Sequence, residues 1–92
     1  TIIKDKLVII DFYAEWCMPC LMMAPVIESL AEKNQKIRFA KVNVDDNPDL
    51  AQKFKISSIP CIIFFKNSKE IDRIIGSISE ELLLEKIKSY SR

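Results

Sequence analysis

Residues Leu7 to Pro25 read "LVIIDFYAEWCMPCLMMAP", and the fold turns on how the two halves of this stretch are interpreted. The first half, "LVIIDFY" (7–13), is an almost unbroken apolar run, the pattern of a strand covered on both faces as parallel sheets require. From Cys17 to about Lys33 the apolar residues recur at helical spacing instead, at Cys20, Met23, Ile27, Leu30 and Ala31, leaving Glu28, Glu32 and Lys33 for water. The change of period places Cys17 where a strand hands over to a helix. Pro25 lies inside that helix and removes a backbone hydrogen bond, which predicts a kink around Met22 to Ala24.

Downstream, "IRFAKVNV" (37–44) is alternating and β-branched and reads as the next strand. Asn47 suits an N-cap and Pro48 a first helical position, giving a short helix to about Phe54. "CIIFFK" (61–66) and "EIDRIIG" (70–76) then face each other across "NSK" at 67–69, where Asn67 tolerates positive φ. Ser79 caps a last helix whose expected buried face is Leu82, Leu83, Ile87 and Tyr90. The order β-α-β, then α, then β-β-α predicts a single α/β domain over residues 1–92, with a central mixed four-stranded sheet flanked by helices.

A chain of 92 residues buries only roughly 60 to 65% of its unfolded surface, so its core must be dense. Its 49% apolar content supplies that core and excludes a disordered chain. The 14 basic and 13 acidic residues are interspersed, which leaves no field to gather nucleic acid or anionic lipid. No apolar run approaches the roughly 20 residues that span a bilayer, and the start "TIIKDKLVII" lacks a signal-peptide cleavage site. A soluble cytoplasmic protein with no nucleic-acid or membrane partner is therefore expected. Three cysteines are an odd number, which favours a reducing compartment over a disulfide scaffold. The absence of histidine excludes a Cys/His nucleophilic pair, a His base and every zinc site that needs imidazole.

At a helix start, unpaired N–H groups and the helix dipole favour an anion, and a thiolate at Cys17 is that anion. A lowered thiol pKa makes Cys17 a nucleophile near neutral pH. Cys20, one turn later on the apolar stripe, is expected to be the more buried of the two. Exposed Cys17 would then attack a substrate disulfide and protected Cys20 would resolve the mixed disulfide, with Pro19 stiffening the turn between them. Asp11 is the second signal: a carboxylate within "VIIDFY" is costly to bury, burial raises its pKa, and it lies close enough in sequence to exchange a proton with Cys20. The competing readings are half of a zinc site, for which only Cys61 offers another thiol, a pair of small buried hydrophobes, and a solvated strand-end Asp11.

At these residues the sequence resembles the thioredoxin family, over essentially the whole chain. The family's "DFWAEWCGPC" stands here as "DFYAEWCMPC", and "MMAP", "AKVNVD", "NPDLAQKF", "SSIPCIIFFKN" and "IIGSIS" follow in the family's order. The resemblance implies a thioredoxin-like fold and a protein-disulfide reductase working by dithiol exchange. It also implies no bound cofactor, substrates that are disulfide-containing proteins, and a thioredoxin reductase or equivalent electron donor. It makes Cys17 the nucleophile, Cys20 the resolving thiol, Asp11 the buried proton carrier, Lys41 its nearby charge and Pro60 a cis-proline facing the cysteines. Trp16, Met18, Pro19, Ile59 and Gly76 would join Pro60 in a docking groove, where an extended substrate segment pairs with the backbone beside Pro60.

The departures are Met18 for glycine, Tyr13 for tryptophan and Cys61 for threonine. Gly76, the only glycine, suggests a close backbone approach. Only ten residues precede Asp11, so the family's first strand and most of its first helix are expected to be missing, leaving 37–44 an open edge and the protein a monomer or weak dimer. Two rival functions stand beside the reductase: a disulfide oxidase or isomerase, and a module binding zinc or an iron–sulfur cluster through Cys17, Cys20 and Cys61.

Overall fold

The computed structural model describes residues 7–91. They form β1 (Leu7–Tyr13), α1 (Met18–Lys33), β2 (Arg38–Asn43), α2 (Pro48–Lys53), β3 (Cys61–Lys66), β4 (Lys69–Ile75) and α3 (Glu80–Tyr90). The sheet runs β2-β1-β3-β4, with β2 parallel to β1 and the other two pairings antiparallel. This is the mixed four-stranded arrangement the residue pattern predicts.

Alternation along β1 divides the core. Leu7 and Ile9 turn to one face, where Met23, Ile27 and Leu30 of α1 and Leu83 and Ile87 of α3 close over them. Phe12 turns to the other face and packs with Cys61, Ile63 and the half-buried Val42, Phe54 and Phe65. Phe54, at the end of α2, lies 5.8 Å from the Phe12 ring and 5.6 Å from the Phe65 ring, which anchors the short helix to the sheet. β3 is covered on both sides, and Cys61 to Phe64 are all buried, as their continuous apolar run requires.

Local details depart from the sequence pattern in three places. The hairpin is a two-residue turn of Asn67 and Ser68, both with positive φ (55° and 67°), and Lys69 already pairs with Lys66 as part of β4. Asn47 holds the N-cap position of α2, but its side chain turns back to donate to the Asn43 carbonyl at 3.0 Å and makes no cap bond. On α3, Leu83 and Ile87 face inward at i and i+4, so Leu82 points to water and half-buried Leu84 packs against the core in its stead. As expected, α1 continues past Pro25, whose missing N–H leaves the Leu21 carbonyl without its helical donor, the condition from which a bend at Met22 to Ala24 is expected.

The expectation of a missing first strand concerns the chain ahead of Leu7, which lies outside the described residues. Among the described residues β2 forms one edge of the sheet, and no helix is long and apolar enough to cross a membrane.

Candidate redox site

Cys17 and Cys20 are joined in a disulfide with their Cα atoms 5.2 Å apart. Cys17 is the N-cap of α1, with an extended backbone (φ −91°, ψ 106°), and its Sγ accepts the Cys20 N–H at 3.2 Å. An N-cap side chain is placed to take an N–H from the second or third helical residue. Here the second is Pro19, which has none, so the third, Cys20, supplies it. The first turn carries no acidic side chain. The Cys17 sulfur therefore occupies the position where the helix start stabilises negative charge most directly.

The expected difference in exposure between the two cysteines is absent. Cys17 is 5% exposed and Cys20 3%. In the disulfide state both sulfurs are drawn into a small cluster with Ala14, against which Tyr13, Val44 and Ile59 pack. What separates the two thiols is the amide aimed at Cys17, a difference of electrostatics and not of burial. The flanks are open: Trp16 is 69% exposed and Met18 is exposed too. Trp16 is thus not a core residue, and its indole N–H donates to Asp45 Oδ2 at 2.8 Å. Asp45 escaped the sequence reading, although a signal existed: Asn43 Oδ1 accepts the Asp45 N–H at 2.9 Å, the Asx turn that an Asn two residues ahead of an Asp suggests.

The Ile59–Pro60 peptide is cis, and Pro60 is buried beside the start of β3. The Pro60 carbonyl accepts the Gly76 N–H at 2.8 Å, which ties the end of β4 to the loop facing the cysteines. Gly76 has φ +95°, and a Cβ built there would meet nothing within 4 Å. Its need is therefore backbone conformation and not the close approach expected from its being the only glycine. Ile59 packs against the cysteine cluster and stands outside the β1–β3 ladder, which starts at Cys61.

Asp11 is 2% exposed, and its Oδ1 has no hydrogen-bond partner among the described residues. Burial pushes its carboxyl up to about 6, with the charge of Lys41 pulling the other way. Lys41 is its register partner on β2, and the Lys41 ammonium lies 4.9 Å from the centre of the Tyr13 ring. Because β1 alternates, Asp11 shares its face with Ile9 and Tyr13: Ile9 lies under α1, and Tyr13 touches the cysteine cluster. The carboxyl is thereby directed into the interface between the sheet and the first turns of α1, the interface into which Cys20 also points.

Cys61 is placed elsewhere. It pairs with Phe12, and its side chain lies in the cluster on the opposite sheet face. Burial pushes its thiol up, with Arg73 opposing. No group of three or more Cys, Asp and Glu side chains among the described residues is arranged to hold a metal ion. The rival in which Cys17, Cys20 and Cys61 jointly ligate zinc or a cluster loses its third ligand to this geometry.

A family model described as Thioredoxin matches residues 1–89. Thioredoxin of Chlamydia caviae is 45% identical over 89 residues, spanning 97% of this chain and 87% of that protein. Thioredoxin-2 of Saccharomyces cerevisiae is 49% identical over 73 residues, 79% of this chain and 70% of the yeast protein. Among solved structures, thioredoxin NaTrxh of Nicotiana alata superposes with a TM-score of 0.90 at 36% identity, covering 96% of this chain and 76% of that one.

Proposed function

Because the chain belongs to the thioredoxin family and is a thiol–disulfide oxidoreductase that reduces protein disulfides, we propose that Cys17 is its attacking thiol, Cys20 its resolving thiol and Asp11 the proton carrier between the resting and reacting states. The observation that carries this reading is the Cys20 N–H donated to Cys17 Sγ at 3.2 Å, since the same donor lowers the free energy of a thiolate there.

In the reduced protein the Cys17 thiolate attacks one sulfur of a substrate disulfide and the other sulfur leaves as a thiolate. Asp11, raised to about 6 and so mostly ionised at pH 7, takes the Cys20 proton. The Cys20 thiolate then attacks Cys17 Sγ, releasing the second substrate thiol and leaving the intramolecular disulfide. Two electrons have passed to the substrate, and a thioredoxin reductase or equivalent dithiol donor restores them. Lys41, across the register from Asp11, lowers the energy of the ionised carboxylate. Trp16, Met18, Pro19, Ile59, Pro60 and Gly76 form the docking surface, with an extended substrate segment laid along the backbone at Ile59 and Pro60.

We place the protein in the cytoplasm, as one domain and as a monomer or weak dimer. The odd cysteine count and the redox pair support the first, and the exposed alternation of β2, an edge strand among the described residues, supports weak self-pairing. The test of the reductase reading is insulin reduction driven by a chemical dithiol, together with the potential of the Cys17–Cys20 pair. Acceleration of insulin reduction and a potential near the roughly −270 mV known for thioredoxin are expected, whereas a value near −120 mV would make the protein an oxidant.

A further inference from the structure

We propose that Met18 and Met22 form a peroxide-sensitive thioether pair at the rim of the disulfide, and that their oxidation to sulfoxides weakens docking of protein substrates. The inference rests on the reading of Cys17 as the attacking thiol. The chain has three methionines, Met18, Met22 and Met23, all in the first two turns of α1. Met18 and Met22 stand four apart and so neighbour each other on one helix face. They are 65% and 72% exposed, and exposed Leu21 lies beside them. Met23, one residue further, is 4% exposed and packs in the core with Ile27 and Leu30.

The inner face of α1 is fully used, so the apolar ridge of Met18, Leu21 and Met22 is surplus to packing and calls for something to cover it. Met18 directly follows Cys17. Because Met18 is exposed and adjoins the N-cap sulfur, one flank of a segment whose sulfur reaches Cys17 Sγ is laid over the start of this ridge. The occupant is the apolar flank of a disulfide in an extended protein segment, to which flexible thioethers adapt across different sequences.

The same exposure makes both thioethers oxidisable. A hydroperoxide transfers one oxygen to Sδ: the sulfur is oxidised by two electrons to a sulfoxide, and the peroxide O–O bond breaks to give water or an alcohol. The product is polar and chiral, and the ridge ceases to be apolar. Protein substrates that cover the ridge lose affinity, while a small disulfide that touches only the sulfur does not.

The test starts from the disulfide form, in which Cys17 and Cys20 are protected, treated with hydrogen peroxide and mapped by peptide mass. Met18 and Met22 are expected to gain one oxygen each and Met23 none. After re-reduction with dithiothreitol, the second-order rate constant for insulin is expected to fall about tenfold, and that for bis(2-hydroxyethyl) disulfide by less than about twofold. In Met18→Leu/Met22→Leu the ratio of treated to untreated insulin rates stays near one, whatever that variant's starting rate. Oxidation of Met23 as fast as its neighbours, equal losses on both substrates, or an unchanged insulin rate would each overturn the proposal. The untreated protein's insulin rate tests the reductase reading, and the treated-to-untreated ratio tests the methionine pair, so the two failures are told apart.

Discussion

Asp11 on β1 and Asp72 on β4 lie on the same face of one sheet, yet their surroundings are opposite. Asp11 is buried with Oδ1 lacking a hydrogen-bond partner among the described residues. Asp72 accepts from the Tyr90 hydroxyl, from Lys86 Nζ at 3.0 Å and from the Arg73 N–H at 2.8 Å. Burial raises Asp11 to about 6. It would raise Asp72 as well, but the hydrogen bonds from Tyr90, Lys86 and Arg73 outweigh it and hold that carboxyl below its ordinary value. One carboxylate fastens α3 to the sheet. The other is a charge kept at a loss of stability, which a folding requirement does not explain and the proposed proton-transfer role would.

The contrast is broken most severely at the sulfurs. Cys17→Ser is expected to lower insulin reduction by on the order of a thousandfold or more, since it removes the attacking atom. Cys61→Thr is expected to keep most of the activity, because Cys61 lies on the far sheet face with Phe12 and Ile63. Loss of turnover in a folded Cys61→Thr protein would bring the third thiol into the chemistry.

Asp11→Asn comes next. The native carboxyl ionises at about 6 and the unfolded one near 3.8, so between those values the unfolded state holds fewer protons and stability falls as pH rises. The variant escapes that loss. It should gain up to about 3 kcal/mol at pH 7 and almost nothing below about pH 3, while turnover at pH 7 slows. Denaturant titrations at the two pH values check the first part and insulin kinetics the second; parallel stability profiles for the two proteins would remove the buried-charge account.

Asp72→Asn should move in the opposite sense, losing about 1 to 3 kcal/mol at pH 7 with reductase activity unchanged. Its native pKa is lowered, so the contribution is present above the unfolded value near 3.8 and disappears as pH falls through that value and the lower native one. Thermal melts across this range would show the two aspartates tilting the stability curve in contrary directions.

The smallest effect serves as a reference without pH dependence. Lys55 has φ 56° where α2 ends, with the Lys55 N–H on the Gln52 carbonyl and the Ile56 N–H on the Ala51 carbonyl, a Schellman cap. Lys55→Gly should add about 0.5 to 1 kcal/mol at every pH.

The order of elements, the inner stripe of α1 and the position of Cys17 at its start were legible in the sequence because each follows from periodicity and chain order alone. So was the burial of Asp11, which sits inside an apolar strand. The hairpin length, the turned-back Asn47 side chain and the exposure of Leu82 were not, since each is decided by a neighbour the pattern does not contain. The same is true of the Asp72, Lys86 and Tyr90 cluster and of the bond from Trp16 to Asp45, whose partners come from separate elements. A position at a helix end suggests an exposed Cys17, but tertiary packing against Ala14, Tyr13 and Ile59 covers it.

The amide at the start of α1 is proposed to make Cys17 the reactive thiol. Brief treatment of the fully reduced protein with a substoichiometric alkylating agent near pH 7, followed by peptide mass mapping, tests it directly. The label is expected on Cys17, with Cys20 and Cys61 left free. Label appearing first on Cys20 would contradict the claim and exchange the roles of the two thiols.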